Sequence, residues 1–117
     1  MLALLMGLKT ISPQKLHQRM QGGGVTAVDM NNRESWLRAR VPGALNLDPE
    51  ALAAGDLPQD KASALVFYCS NPMCSKAPNA ARRARGWGYQ NVLVMSAGIR
   101  GWLGAALPTE SGEAASA

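Results

Sequence analysis

The sequence predicts an α/β fold built around a parallel sheet. Short apolar runs alternate with segments whose apolar residues recur at helical spacing, which is typical of alternating strands and helices. One run, residues 65–68, is apolar on both faces, as a strand in the centre of a parallel sheet must be. The 117 residues suit one domain that can bury a core without a metal or disulfide links. We therefore expect a single α/β domain.

Five segments have the length and apolar content of strands. In chain order they are residues 9–11, 25–29, 44–47, 64–68 and 92–95. Parallel strands are joined by right-handed crossovers, and ligand sites in such sheets lie at the carboxyl ends of the strands. Cys69 directly follows the apolar segment 64–68, so the sequence places a cysteine at that edge of the sheet.

The first predicted helix lies between the first two strands. Ser12 is a suitable N-cap, and Pro13 is suited to the first helical position because its missing N–H needs no partner there. The helix is expected to run through Met20, because the three glycines at 22–24 favour its end.

Two further helices are predicted after the second and fourth strands. Either Asn31 or Asn32 can cap a helix that carries Trp36 on its apolar face. The other helix follows the cysteine segment, tolerates Pro78 in its first turn and extends toward Gly86. Helices therefore fill the gaps between the strands.

The two ends of the chain differ in composition from the domain at residues 9–108. Residues 1–8 form an apolar lead without preceding basic residues, and they are too few to span a bilayer. Residues 109–117 are small and polar, which predicts a flexible C-terminal tail. We expect no membrane association and a cytoplasmic location, or a periplasmic one if an upstream signal has been removed.

The composition argues against several classes of function. Twelve Lys and Arg against eight Asp and Glu give a net charge of +4, and the cations are not concentrated in one block, so we expect no nucleic-acid partner. Two cysteines and one histidine cannot close a four-ligand zinc site alone, so we expect no metal. The absence of a long apolar surface stripe favours a monomer. Cys69 and Cys74 are therefore the main candidates for a chemical role.

Both cysteines lie in one loop, Cys-Ser-Asn-Pro-Met-Cys at residues 69–74, between the apolar strand and the third helix. Loop N–H groups around a sulfur and the positive end of the next helix stabilise a thiolate, which lowers the thiol pKa below about 8.5. They would also hold a persulfide, whose outer sulfur is negative. The alternative is a buried structural cysteine. Beside Cys69, the candidate substrate-binding residues are Ser70, Asn71, Met73, Cys74, Ser75 and Lys76.

This loop resembles the active-site loop of the rhodanese-like single-domain sulfurtransferases, in which an apolar strand is followed by Tyr-Cys, a short loop and usually Arg-Ser. Other landmarks of that family stand in the same order and spacing. They are the Val-Asp at 28–29 with a later Trp, Val-Pro-Gly-Ala-Leu-Asn-Leu at 41–47, and the closing segments 86–92, 97–102 and 106–108. The resemblance implies a doubly wound parallel sheet of about five strands flanked by helices.

The resemblance also implies a mechanism centred on Cys69. Its thiolate would attack the outer sulfur of a small donor anion such as thiosulfate, giving a cysteine persulfide and releasing sulfite. A thiol, cyanide or a protein acceptor would then remove the sulfur. The family chemistry requires no metal or organic cofactor, because the loop amides stabilise the negative charge.

The sequence departs from the family pattern around this loop. Cys74 stands where the family usually has Arg, which would bind an anionic donor by a forked contact. Pro72 stands where Gly is frequent, and the resemblance extends to a variant with a Cys-x-x-Pro-x-Cys loop. Asn31 replaces an Arg that often accompanies Asp29, and Arg40 replaces a His. Asp29 and Arg40 are assigned supporting roles, and the alternatives for Asp29 are capping of the next helix or a bond to the adjacent loop.

Cys74 allows three interpretations. It resolves an oxidised or persulfidated Cys69 by forming a disulfide, it accepts sulfur in a relay, or it packs as a small apolar residue. The leading hypothesis is a sulfurtransferase that uses Cys69. The alternative is a thiol/disulfide redox or sulfur-relay module in which both cysteines act with a protein partner. A phosphatase or arsenate reductase is disfavoured because the loop lacks an Arg for the oxyanion, and a noncatalytic binding module is disfavoured because such domains commonly lose the cysteine.

Overall fold

Five parallel strands form the central sheet of the computed structural model, which describes residues 2–113. The strands are β1 (Lys9–Thr10), β2 (Val25–Asp29), β3 (Leu45–Asn46), β4 (Ala64–Tyr68) and β5 (Asn91–Val94). They are arranged in the order β1-β5-β4-β2-β3, and every pairing is parallel. Each strand overlaps a predicted segment, and the α/β prediction is confirmed.

Five helices and a short 3₁₀ turn accompany the strands between residues 2 and 113; the first helix lies before the first strand and the last helix after the last strand. The helices are α1 (Leu2–Leu5), α2 (Pro13–Gly22), α3 (Arg33–Arg38), α4 (Lys76–Gly86) and α5 (Gly98–Gly104), and the turn covers Ala54–Asp56. The sequence does not predict α1 or α5 as helices. α1 has only four residues, and three of the seven residues in α5 are glycines, which have low helix propensity. Tertiary contacts therefore decide both helices.

The predicted caps are present at the helix starts. The Ser12 hydroxyl accepts a 3.1 Å hydrogen bond from the backbone N–H of Lys15, and Pro13 is the first residue of α2. Asn32 caps α3 by accepting from the N–H of Ser35 at 2.9 Å. Asn31, the other capping candidate, does not cap α3 and lies at the carboxyl edge of the sheet.

Strand β4 is buried on both faces because helices cover the sheet on both sides. Leu65 and Phe67 belong to the apolar cluster that includes α1 and α4. Val66 and Tyr68 alternate with them and belong to the opposite cluster, with Trp102 of α5. All five residues of the strand are buried, which explains its continuous apolar sequence.

Both ends of the described chain contact the domain. Ala3 and Leu8 of the predicted lead are 2% and 3% exposed and belong to the core. The sequence predicts a flexible tail from residue 109, but the N–H of Gly112 donates to the carbonyl of Leu37 at 2.7 Å, and Glu110 pairs with Arg40. Polar contacts hold this segment against the domain. The composition of the segment shows only that it has no large apolar side chains to bury, so it does not predict these contacts. Residues 114–117 lie outside the described residues. Between residues 2 and 113, no helix is long and apolar enough to cross a bilayer.

Candidate active site

Cys69 lies at the carboxyl end of β4, in the middle of the sheet, and only 3% of its surface is exposed. Two backbone bonds hold the start of the loop against α5. The N–H of Ile99 donates to the carbonyl of Cys69 at 2.9 Å, and the N–H of Arg100 donates to the carbonyl of Ser70 at 3.1 Å. The first turn of α5 therefore sets the position of the cysteine.

A tight turn closes the loop between the two cysteines. The N–H of Cys74 donates to the carbonyl of Asn71 at 3.1 Å, and the Asn71 side chain accepts from the N–H of Met73 at 2.9 Å. Pro72 follows Asn71 in this turn, a position where the fixed φ of proline is favourable. Met73 is 84% exposed at the tip. The loop sequence therefore brings Cys74 back toward Cys69.

Cys69 and Cys74 are joined by a disulfide across the loop, with their Cα atoms 6.4 Å apart. That separation lies within the usual range for disulfides. This is the pairing that the resolving interpretation of Cys74 requires. Neither cysteine is a free thiol in this state, so any nucleophilic role of Cys69 requires prior reduction. Within residues 2–113, no group of three or more His, Cys, Asp or Glu side chains is placed to hold a metal ion.

Asn31 connects the cysteine loop to the neighbouring strand β2. Its Oδ1 accepts a 2.7 Å hydrogen bond from the Ser70 hydroxyl. The Nδ2 of Asn46 donates to the Asn31 carbonyl at 2.8 Å and to the Asp29 carbonyl at 3.1 Å. Sequence reasoning placed no functional role on Asn31 or Asn46. The available signal was their position at the carboxyl ends of β2 and β3, beside the strand that precedes the loop.

Asp29 is fully buried and ties β2 to β4. Its Oδ2 accepts from the Tyr68 hydroxyl at 2.7 Å, and its Oδ1 accepts from the N–H of Asn31 at 2.8 Å. The Tyr68 oxygen in turn accepts from the N–H of Val41 at 3.1 Å. Burial raises the pKa of Asp29 despite these hydrogen bonds, and burial together with the Asp29 charge raises the pKa of Tyr68. Asp29 thus links the strands beneath the loop, while Asn32 performs the capping.

The Tyr68→Phe variant is expected to lose about 2–3 kcal/mol of unfolding free energy, because a buried Asp29 oxygen and the Val41 N–H lose their partner. The raised pKa means that Asp29 favours folding when protonated, so its contribution declines as pH rises above the ordinary value of 3.8. Losing the Tyr68 bond raises that pKa further, so the loss should grow from acidic toward neutral pH. Urea denaturation across that range measures both effects.

Tyr89→Phe is the matched control for this variant. The Tyr89 hydroxyl donates to the Pro58 carbonyl and not to a carboxylate. Its removal should cost less and show no comparable pH dependence. Equal costs and equal pH profiles in the two variants would contradict the role of the pair between Tyr68 and Asp29.

Arg40 is buried, and its contacts are with α3 and the C-terminal segment. Its guanidinium lies over the Trp36 ring at 3.9 Å, and Nη1 donates to the carbonyls of Trp36 and Gly112 at 3.1 and 2.9 Å. Its Nε lies 3.6 Å from a Glu110 carboxylate oxygen. The structure therefore uses this charge to hold the C-terminal segment and does not bring it to the loop.

The residues after Cys74 face another part of the surface. Ser75 precedes α4 but its side chain makes no capping hydrogen bond. Lys76 lines an open cavity of about 360 Å³ together with Asn31, Asp48 and Glu50. The sequence groups Lys76 with the cysteines, whereas the structure places it in a cavity that neither cysteine lines.

A much smaller cavity of about 10 Å³ lies under the loop. Both cysteines line it, together with Ala77 at the start of α4 and Ser96 after β5. Sequence reasoning did not single out Ser96. The available signal was its place just beyond the strand beside β4, where carboxyl-end side chains converge.

Comparisons with known proteins agree with this geometry. Residues 12–105 match the family model of the rhodanese-like domain. An HTH-type transcriptional regulator, Rv0324 of Mycobacterium tuberculosis, is 34% identical over 87% of the chain, and the thiosulfate sulfurtransferase GlpE of Haemophilus influenzae is 28% identical over 91% of the chain and 98% of its own length. The chain spans between 45% and 61% of the length of that regulator and of two uncharacterized bacterial relatives.

Solved structures share the same fold. The BH2092 protein from Bacillus halodurans superposes with a TM-score of 0.81 at 20% identity, over 92% of this chain and 80% of its own. At that identity the likeness concerns the fold alone. The family model, by contrast, covers the strands and helices that position both cysteines. The chain therefore belongs to the family of rhodanese-like domains.

Proposed function

We propose that the protein is a sulfurtransferase in which Cys69 carries a sulfane sulfur as a persulfide. The observation that carries the proposal is the position of Cys69 at the carboxyl end of the central strand, under a loop held by α5 and by Asn31. Membership of the rhodanese-like family and the relatives named thiosulfate sulfurtransferase support the same chemistry. No metal and no organic cofactor are needed for it.

The reaction begins with reduction of the disulfide by a dithiol, which supplies two electrons and becomes a disulfide itself. The Cys69 thiolate then attacks the outer sulfur of thiosulfate. A new S–S bond forms on Cys69, and the S–S bond of thiosulfate breaks with its electron pair leaving on sulfite. An acceptor nucleophile such as cyanide takes the outer sulfur as thiocyanate and returns the Cys69 thiolate.

The donor site differs from one that contains an anion-binding Arg at position 74. A thiol there forms no forked contact with an oxyanion. Two exposed cations lie next to the loop. Lys76 follows it closely in the chain, and the backbone N–H of Arg100 donates to the Ser70 carbonyl. Solvent weakens such charges, so we propose weak thiosulfate binding and a persulfide donor or protein partner as alternative sulfur sources.

Sulfur loading tests the proposal directly. Reduced protein incubated with thiosulfate, freed of small molecules and examined by intact mass, should gain one sulfur atom on the peptide that contains Cys69. Protein left in the disulfide state should gain none, because no thiolate is available. Absence of added sulfur on the reduced protein, with thiosulfate and with a persulfide donor alike, would reject the proposal.

The observed disulfide favours a second candidate function, a thiol/disulfide redox or sulfur-relay module. In the redox form of this module, Cys74 resolves the Cys69 persulfide: its thiolate attacks the inner sulfur, forms the disulfide and releases hydrosulfide. Cys74→Ser separates the two functions. A sulfurtransferase should keep sulfur loading and turnover to cyanide and lose the need for prior reduction. A module in which Cys74 resolves the persulfide should instead accumulate persulfide in this variant and stop releasing hydrosulfide.

A further inference from the structure

Most of the side chains that line the cavity under the cysteine loop are apolar. Both cysteines line it, together with apolar side chains that include Ala3, Val94 and Met95. Asn71 and Ser96 also line the cavity, and apart from the cysteines they contribute its polar side chains. The side-chain oxygen of Asn71 already accepts a hydrogen bond from the N–H of Met73 in the loop turn. With a volume of about 10 Å³, the cavity has room for about one water-sized atom.

The Ser96 hydroxyl is buried beside this cavity and has no hydrogen-bond partner among the protein atoms of the described residues. Among the buried side-chain nitrogen and oxygen atoms of the described residues, it is the one atom in this condition. A buried unpaired hydroxyl destabilises a fold, and most such groups find a partner. The backbone turn that contains Ser96 does not need the hydroxyl. It is closed by a backbone hydrogen bond, in which the N–H of Gly98 donates to the carbonyl of Met95 at 3.0 Å.

The disulfide gives this hydroxyl no strong acceptor in the cavity. A disulfide sulfur is a weak acceptor and carries no charge. A thiolate, or the outer sulfur of a persulfide, is charged and accepts a much stronger hydrogen bond. Opening the Cys69–Cys74 bond therefore creates an acceptor in the cavity that both cysteines and Ser96 line.

We propose that Ser96 is a catalytic residue whose hydroxyl donates a hydrogen bond to the reduced sulfur of Cys69, and to the outer sulfur once Cys69 is persulfidated. The second half of this inference rests on the proposed sulfurtransferase function, and the first half does not. The hydroxyl stabilises the anionic forms and leaves the disulfide form with an unpaired donor. It therefore promotes both disulfide reduction and thiolate formation.

Ser96→Ala tests the inference, examined in a Cys74→Ser background so that Cys69 is the single cysteine. The rate of iodoacetamide alkylation against pH reports the pKa of the Cys69 thiol independently of sulfur transfer. The alanine variant should raise that pKa by about one unit, which corresponds to about tenfold less thiolate below it. Ser96→Thr keeps a hydroxyl and should restore the wild-type profile. An unchanged pKa in Ser96→Ala overturns the inference.

A second measurement separates this role from a structural one. In the disulfide form, Ser96→Ala should be as stable to urea as the parent protein or more stable, because it removes an unpaired buried hydroxyl. A large loss of stability would mean that the hydroxyl supports the fold and would overturn the inference. Ser63→Ala, at the opposite end of β4, is the matched control and should change neither quantity.

The two proposals fail in different ways. A shifted Cys69 pKa in Ser96→Ala without any sulfur loading in the parent protein rejects the sulfurtransferase and keeps the hydrogen bond to the thiolate. Sulfur loading that proceeds at the parent rate in Ser96→Ala, with an unshifted pKa, rejects the role of Ser96 and keeps the sulfurtransferase.

Discussion

We expect Cys69→Ser to abolish the proposed sulfur transfer from thiosulfate to cyanide, with a loss of at least about 10³-fold in kcat/KM. A serine hydroxyl stays protonated near neutral pH and cannot form a persulfide, so neither half of the reaction proceeds. The residue sits at the end of β4, where 3% of the side chain is exposed, and serine is close in size. Thiocyanate formation in a steady-state assay measures the loss, and intact mass should show no added sulfur.

Cys74→Ser is the control that isolates the nucleophile from the disulfide. Both substitutions remove the bond between the two cysteines, so any effect of the lost cross-link is common to them. The Cys74 variant should retain turnover within a few-fold of the reduced parent protein. Retained turnover in Cys69→Ser would contradict the assignment of the nucleophile, and loss of turnover in both variants would favour a chemistry that needs the pair.

Gly98→Ala should disrupt the fold around the cysteine loop. Gly98 has φ +67°, and a Cβ atom there would lie 2.5 Å from the backbone C and O of Ser70 and 2.7 Å from the N of Asn71. Backbone atoms cannot move aside as a flexible side chain can. Strain at positive φ and overpacking together are expected to cost about 2–5 kcal/mol. Urea denaturation measures the loss, and turnover should fall as the loop moves from α5.

Gly104→Ala is the matched control on the same helix. No heavy atom lies within 4 Å of a Cβ built at Gly104, and its φ lies outside the left-handed region. Stability and turnover should stay unchanged or rise slightly, because alanine has the higher helix propensity. If the two alanine variants behave alike, the close approach between Gly98 and the loop does not position Cys69.

Local rules predicted the parts of the fold that depend on neighbouring residues. Ser12 and Asn32 cap their helices through hydrogen bonds that span three positions in the chain. β4 was recognisable because burial on both faces requires apolar residues at every position. α5 was missed because its glycines lower helix propensity, while its position is decided by contacts to the loop and by the burial of Trp102.

The candidate site likewise combines residues that the local sequence predicts with residues that only the fold brings together. The loop sequence by itself identified Cys69 as the nucleophile candidate and Cys74 as a residue able to reach it, since both lie on one short turn. Asn31 and Ser70 are separated by 39 positions, and their hydrogen bond exists because β2 pairs with β4. Arg40 illustrates the opposite case. Its partner Gly112 lies 72 positions away, so its engagement outside the site could not be read from the local pattern.

The α/β class, the central strand, the helix starts and the loop with its two cysteines could be predicted from the sequence. These features follow from periodicity and from contacts between near neighbours in the chain. The folded chain adds three features: the bond between the two cysteines, the contact of Asp29 with Tyr68, and the buried Ser96 hydroxyl without a protein partner among the described residues. The last two depend on the strand order, because β4 lies between β2 and β5 and side chains from three distant segments therefore meet at one edge of the sheet.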